Sequence, residues 1–300
     1  MNRDGLSPHG ESVERDATGH PVRRPGLIAS DLDGTIISYR HPAGGSVITP
    51  RTTAAFQAAQ EAGIPVVFVT GRPMRWMSGL VATLNGPAIC SNGAVIYDLS
   101  SETVLEAHPI PVASVVAVYE ELRRIEPGAR CGFETLTGFV VEPGFRDDHP
   151  EDPSGYHPGG LHHYPRTIDG LDEHPGVLKF MVRVPDREPD QLLARVRAHL
   201  GTAVTVTHSA PGQPLLEISR ADVNKAATLA DYATSLGVHA NEVVAFGDQL
   251  NDVEMIRWAG TGYAVGSGHP ELKAAANAVT ADCDDDGVAA VIEHLMHLPT

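Results

Sequence analysis

The chain has 300 residues, 42% of them hydrophobic and 20% charged, which suffices for one large domain or two modest ones and is ordinary for a soluble globular protein. Its formal net charge of −16 argues against a nucleic-acid binder, whose phosphate contacts need a basic face, and predicts that any phosphate site carries its own cations or a metal. No stretch reaches the ~20 apolar residues of a membrane span, and Cys90, Cys131 and Cys283 show neither metal spacing nor a disulfide framework, so they read as reduced packing thiols of a cytoplasmic protein.

Residues 1–24 are polar, of mixed charge and without an apolar signal core, which predicts a disordered tail. The run Leu27-Ile28-Ala29 then predicts a strand ending at Asp31-Leu32-Asp33-Gly34-Thr35. Strand alternation puts Asp31 and Asp33 on one face. Asp is a poor strand residue and Gly34 permits a turn, so both acids would sit at a strand tip. Taken alone, the pentapeptide is a moderate signal, and an ordinary polar turn is its alternative reading. Thr49 and Pro50 suit the start of a helix over 51–62, and Gly63 its end. Residues 64–69 form a continuous apolar strand, the kind buried on both faces of a parallel sheet, and it ends at Thr70-Gly71-Arg72. A short strand over 88–90 ends at Ser91-Asn92-Gly93, which reads as a tight turn.

The pattern then changes. Pro111 opens a helix with Val112, Val115, Val116, Tyr119 and Leu122 at helical spacing. Over 177–184, Leu178, Phe180, Val182 and Val184 alternate with Lys179 and Arg183, which predicts a sheet with one covered and one exposed face. A second helix carries Leu192, Leu193, Val196 and Leu200, and further strands are expected over 203–207 and 215–218. Residues 143–175 are rich in Pro, Gly, His and Asp; His149, His157, His162, His163 and His174 match no standard metal spacing and read as a solvated loop. Strand and helix alternate again after the insertion: helix 222–236, strand 242–246 ending at Gly247-Asp248, helix 250–259, strand 262–265, and helices over 269–277 and 287–297. Asp284-Asp285-Asp286 reads as an acidic helix start, and Trp76, Trp258 and Phe246 as packing residues. The fold class expected is α/β: a doubly wound, Rossmann-like parallel-sheet core from 25–95 and 213–300, with an inserted α+β cap domain over 96–212.

The polar signals fall just past apolar strands, and the strand ends of a parallel sheet share one edge. Two like charges about 4 Å apart repel by roughly 4 kcal/mol at an effective dielectric near 20. Gathered carboxylates therefore call for a hard divalent cation, and Mg²⁺ commonly bridges carboxylates to a phosphate. Carboxylates with Lys225 and a Thr-Gly loop point to metal-assisted phosphoryl transfer.

These residues resemble the haloacid dehalogenase superfamily of phosphohydrolases, whose four motifs occur in order. They are Asp31-Leu32-Asp33-Gly34-Thr35, Val67 to Arg72, Lys225 in Val223-Asn224-Lys225, and Gly247-Asp248-Gln249-Leu250-Asn251-Asp252. The insertion between the second and third motifs, with Ser91-Asn92-Gly93-Ala94, resembles the Cof-like subgroup with an α/β cap. One departure is Gly266-Ser267-Gly268, where relatives often have Gly-Asn-Ala. The resemblance implies that Asp31 is the nucleophile, forming an aspartyl-phosphate, and that Asp33 is the general acid and base. It implies Mg²⁺ held by the Asp31 carboxylate, the Asp33 carbonyl and Asp248, with Asp252 a ligand or an acid behind the ligands. Thr70, the Gly71 amide and Lys225 would bind phosphoryl oxygens, and Asn251 would touch phosphate or orient the metal's surroundings.

The expected function is Mg²⁺-dependent hydrolysis of a small phosphorylated metabolite, with no nucleic-acid or membrane partner and a monomer as the default state. The rival readings are a phosphotransferase such as a sugar-phosphate mutase, and a non-enzymatic phosphometabolite-binding regulator. Specificity is expected from the cap, with Arg130, Lys179, Arg183 and the 143–175 loop as candidates.

Overall fold

The computed structural model describes residues 24–40, 47–80, 83–145, 161–208 and 214–298. The tail expected at 1–24 lies, as far as residue 23, outside the described residues, as do His149 and His157. In chain order the elements are β1 (Leu27–Ser30), α1 (Pro50–Glu61), β2 (Val66–Val69), β3 (Pro87–Cys90), β4 (Val95–Asp98), β5 (Thr103–Ala107) and α2 (Val112–Ile125). Then follow β6 (Arg130–Thr135), β7 (Phe139–Val141), β8 (Leu161–His163), β9 (Val177–Arg183), α3 (Pro189–Leu200), β10 (Val204–His208) and β11 (Leu215–Arg220). The last are α4 (Lys225–Ser235), β12 (Val243–Gly247), α5 (Val253–Trp258), β13 (Thr261–Ala264), α6 (Pro270–Ala275), β14 (Ala278–Val279) and α7 (Gly287–Met296). The described residues fall into two compact units, one holding those up to Val67 and from Ala233 onward, the other Phe68–Tyr232.

In the first unit the strands run in the order β14-β13-β12-β1-β2. The β1–β12, β12–β13 and β13–β14 pairings are parallel. Every residue of β1 and β12 is buried, as an apolar run without alternation requires of a strand covered on both faces. Helix α1 begins where Thr49 accepts a hydrogen bond from the Thr52 amide at 3.1 Å and Pro50 supplies the first turn. It packs against α7. Asp286 stands immediately before α7, but its carboxylate does not cap that helix; it accepts from the Thr49 and Thr52 hydroxyls at the start of α1.

In the second unit the end of β2 pairs in parallel with β3, and β3, β4 and β5 follow as antiparallel neighbours. A six-stranded sheet runs β10-β11-β9-β6-β7-β8, antiparallel except for β7–β8. Helices α2 and α3 cover one face of it, and Val115, Tyr119, Leu122, Phe133, Phe180, Leu192 and Val196 share the core. Phe133 and Phe180 meet edge to face with centroids 4.6 Å apart.

Several expectations from the sequence are corrected. The buried stripe of α2 is Val115, Val118, Tyr119, Leu122 and Ile125, while Val112 is 58% and Val116 37% exposed. The periodicity was right and its phase was wrong by part of a turn. The second face of β9 is not solvated at Lys179, which is 5% exposed. No strand was expected over 95–107, where β4 pairs with β3 and β5 with β4, and the expected strand at 215–218 is β11, which pairs with β9. Helix α4 starts at Lys225 rather than 222, because the Asn224 side chain caps it by accepting from the Ala227 amide at 2.8 Å. Trp76 is 40% exposed rather than packed in a core.

Candidate active site

The chain leaves β1 through Asp31, whose amide donates to the Phe246 carbonyl at 3.0 Å and so carries the ladder one residue beyond the strand. The Leu32 carbonyl then accepts from the amides of Thr35, Ile36 and Ile37 at 3.2, 2.9 and 2.8 Å, closing a tight loop. Gly34 sits in this loop at φ +82°, where a Cβ would lie 2.1 Å from Asp248 Oδ2. Both the backbone and the space therefore require glycine. Gly34→Ala is expected to lower the urea-unfolding free energy by about 1–3 kcal/mol and to displace Asp248; unchanged unfolding would show that the loop accommodates the methyl group.

The carboxylates converge as the sequence pattern suggested, with one exception. Asp31, Asp248 and Asp252 are buried, and one oxygen of each lies within 4.8 Å of the others. The Asp33 carboxylate is not one of these three, and the Asp33 carbonyl oxygen accepts from the Tyr39 hydroxyl at 3.0 Å. Each of the three buried acids is oriented by a neighbour. Thr35 Oγ1 donates to Asp31 Oδ2 at 3.1 Å, and Gln249 Nε2 donates to Asp248 Oδ2 at 3.1 Å. Asp252 Oδ2 accepts from the amides of Asp248 and Gln249, both at 3.0 Å, and thereby closes the turn after β12. Three buried carboxylates this close repel strongly, and oxygen is the donor a hard divalent ion prefers, so the residues fit Mg²⁺. Asn251 lies on the same turn and is exposed. The sequence reading gave Thr35, Tyr39 and Gln249 no part; only the spacing of Thr35, four residues beyond Asp31, offered a signal.

The phosphate-loop candidates lie in the second unit. The Thr70 hydroxyl accepts from the Arg72 amide at 3.0 Å, and the Thr70 amide donates to Ile89 at 2.8 Å. Beside this loop, Ser91, Asn92 and Gly93 take φ values of 51°, 56° and 109° in succession. A left-handed non-glycine residue costs on the order of 1–2 kcal/mol, and asparagine tolerates it best after glycine. The loop is held there by the Ser91 amide donating to Arg72 at 2.8 Å and the Asn92 amide donating to Thr70 at 3.0 Å. Gly93 admits the start of α4, because a Cβ there would lie 2.5 Å from the Asn224 carbonyl oxygen. Lys225, the first residue of α4, is 2% exposed. A solvated helix lysine would not be buried so, and a buried ammonium must be paired.

A family model described as haloacid dehalogenase-like hydrolase matches residues 28–292. The chain is a haloacid dehalogenase-like hydrolase. It is 29% identical over 282 residues to pyridoxal phosphate phosphatase YbhA of Escherichia coli (strain K12), covering 90% of this chain and 98% of that protein. It is 27% identical over 281 residues to 5-amino-6-(5-phospho-D-ribitylamino)uracil phosphatase YitU of Bacillus subtilis (strain 168), covering 92% and 99%. A solved haloacid dehalogenase-like hydrolase from Bacteroides thetaiotaomicron superposes with a TM-score of 0.72 at 25% identity, covering 90% of this chain and 98% of its own. In this hydrolase residues of the first and fourth motifs form the carboxylate cluster of one unit, and the third motif and the second from Phe68 onward lie in the other. Among the described residues, Asp31, Asp248 and Asp252 are the group of three that could hold a metal ion. His162 instead stacks on His174 at 3.8 Å, and burial, with His162 beside it, lowers the His174 pKa. No helix among the described residues is long and apolar enough to cross a membrane.

Proposed function

We propose that this hydrolase is an Mg²⁺-dependent phosphatase acting on a small phosphomonoester, by way of a phosphoryl group carried on Asp31. The observation that carries the reading is the buried cluster of Asp31, Asp248 and Asp252 at the ends of two adjacent parallel strands. The phosphatase names of its relatives support it.

In this reading an Asp31 oxygen attacks phosphorus and the bond from phosphorus to the leaving oxygen breaks. Asp33 gives its carboxyl proton to that oxygen, then takes a proton from the water that cleaves the aspartyl-phosphate and releases inorganic phosphate. Thr35 fixes the rotation of the Asp31 carboxylate through Oδ2. Asp31, Asp248, the Asp33 carbonyl and Asp252 would hold Mg²⁺, which when bound neutralises the carboxylates and the phosphoryl oxygens. Thr70, the Gly71 amide, Lys225 and Asn251 would bind the phosphoryl group. The α/β elements inserted between the second and third motifs serve as the cap that selects the leaving group, and the substrate is a sugar phosphate, a nucleotide or a cofactor phosphate. A cytoplasmic address accords with three free cysteines, two of them buried as packing residues.

The test is a panel of phosphorylated metabolites assayed for released phosphate with Mg²⁺ and with a chelator. At least one phosphomonoester is expected to be turned over with Mg²⁺, and chelation is expected to remove at least about 10²-fold of that rate. Absence of phosphate release from every member with Mg²⁺ present would overturn the reading.

A further inference from the structure

All three carbonyls of Thr70-Gly71-Arg72 have named partners. Thr70 accepts from the Asn92 amide at 3.0 Å and Arg72 from the Ser91 amide at 2.8 Å. Gly71 accepts from Lys179 Nζ at 2.8 Å, although Lys179 comes from β9 of the six-stranded sheet. Lys179 Nζ also lies 2.9 Å from Glu217 Oε1, and Glu217 Oε2 accepts from Asn92 Nδ2 at 3.0 Å. The bonds close on themselves: from the Gly71 carbonyl to Lys179, Glu217, the Asn92 side chain, the Asn92 amide, and back to the Thr70 carbonyl. The side chains of Lys179 and Glu217 are only 6% and 12% exposed, so the pair is shielded from water and its charges cancel. Lys179 and Glu217 reach one face of the sheet because Glu217 pairs with Met181, two residues along β9.

The geometry of the peptide unit gives this circuit a consequence. There is no cis bond among the described residues, so the Thr70 C=O and the Gly71 N–H lie in one plane and point in opposite directions. A partner on the Thr70 carbonyl therefore aims the Gly71 N–H the opposite way, and a partner on the Gly71 carbonyl stops the next peptide from rotating to undo it. We infer that Lys179, Glu217 and Asn92 are positioning residues that lock the Gly71 peptide so that its amide faces the phosphoryl group. This rests on the reading above that the Gly71 amide binds phosphoryl oxygens. Oriented amide donors act mainly on charge developing in the transition state, so their misalignment lowers kcat more than it raises KM.

The experiment uses the full chain with Lys179→Met, Lys179→Arg and Glu217→Gln. It measures kcat and KM on p-nitrophenyl phosphate and on two phosphomonoesters with unlike leaving groups, and the Gly71 amide chemical shift without ligand. Lys179→Met is expected to lower kcat by about 10- to 100-fold, by the same factor for all three substrates, with KM within about twofold. The Gly71 amide shift is expected to move, and Lys179→Arg, which keeps a donor and a charge, to recover most of the loss. A wild-type kcat in Lys179→Met, or a loss that varies with the leaving group, would overturn the inference; the second result would place Lys179 against the substrate instead. If Lys179→Met does not fold, Glu217→Gln carries the test, and a wild-type kcat with an unmoved Gly71 shift overturns it. If wild type hydrolyses nothing, the phosphatase reading fails by itself, and the Gly71 shift alone decides whether the circuit holds the peptide.

Discussion

Asp31→Asn is expected to fold normally and to lose about 10⁴-fold or more in kcat toward any phosphomonoester the wild type hydrolyses, since removing a nucleophile costs several decades. The amide is nearly the same size as the carboxylate, and its oxygen can still accept from Thr35 Oγ1, so the loop from Leu32 to Ile37 should persist. What changes is charge. Asp31, Asp248 and Asp252 repel one another across less than 4.8 Å when no cation is present. Removing one of the three charges is therefore expected to raise the melting temperature of the metal-free protein. Added Mg²⁺ should then stabilise the wild type more than the variant, because stabilisation by a ligand of the folded state grows with the logarithm of its affinity. Wild-type turnover in Asp31→Asn would sink the nucleophile assignment. A lower metal-free melting temperature would show that Asp31 is held by favourable partners rather than strained by its neighbours.

How far such a site can be read from sequence depends on the range of the interactions that build it. The carboxylate cluster was legible because each acid follows an apolar strand, and β1 and β12 are parallel neighbours whose ends coincide. Helix α1 was legible because Thr49, Pro50 and Gly63 are local signals, and the structure needs only the Thr49–Thr52 bond to honour them. The face of α2 was not, because periodicity gives the width of an apolar stripe, while the sheet beneath decides which of Val112, Val115, Val116 and Val118 it covers. Strand β6 carried an alternating Cys131 and Phe133 against Arg130, Gly132 and Glu134, a signal that could have been found; β7, with three residues, is too short to announce itself. The Lys179–Glu217–Asn92 circuit had no local trace. Its bonds join residues 108 and 125 positions apart, and alternation along β9 assigned Lys179 to a solvated face that the structure covers.

Arg75→Met should cost about 3–5 kcal/mol of stability near pH 8, the effect of breaking a buried ion pair by removing one member. Arg75 Nε lies 2.9 and 3.1 Å from the two oxygens of Glu134, and the two side chains are 6% and 3% exposed. The guanidinium also sits 5.0 Å from the Phe139 ring centroid and 5.1 Å from that of Trp76, contacts a methionine would keep only in part. Burial raises the Glu134 pKa above the ordinary 4.5, and Arg75 is the largest influence holding it back down, followed by Lys179, while Glu217 pushes it up. Folded protein therefore binds the Glu134 proton more tightly than unfolded chain does. By linkage, stability falls as pH rises from about 4.5 through the folded-state pKa. Without Arg75 that pKa moves higher, the window widens upward, and the deficit against wild type grows with pH. Urea unfolding at about pH 5 and pH 8 should thus show a small difference at the lower pH and a large one at the higher. Replacing both partners, as Arg75→Met with Glu134→Leu, removes the stranded charge and should recover most of the loss with little remaining pH dependence. A deficit equal at both pH values would mean that the loss comes from packing around Phe139 and Trp76, and that Glu134 finds another cation when Arg75 is gone.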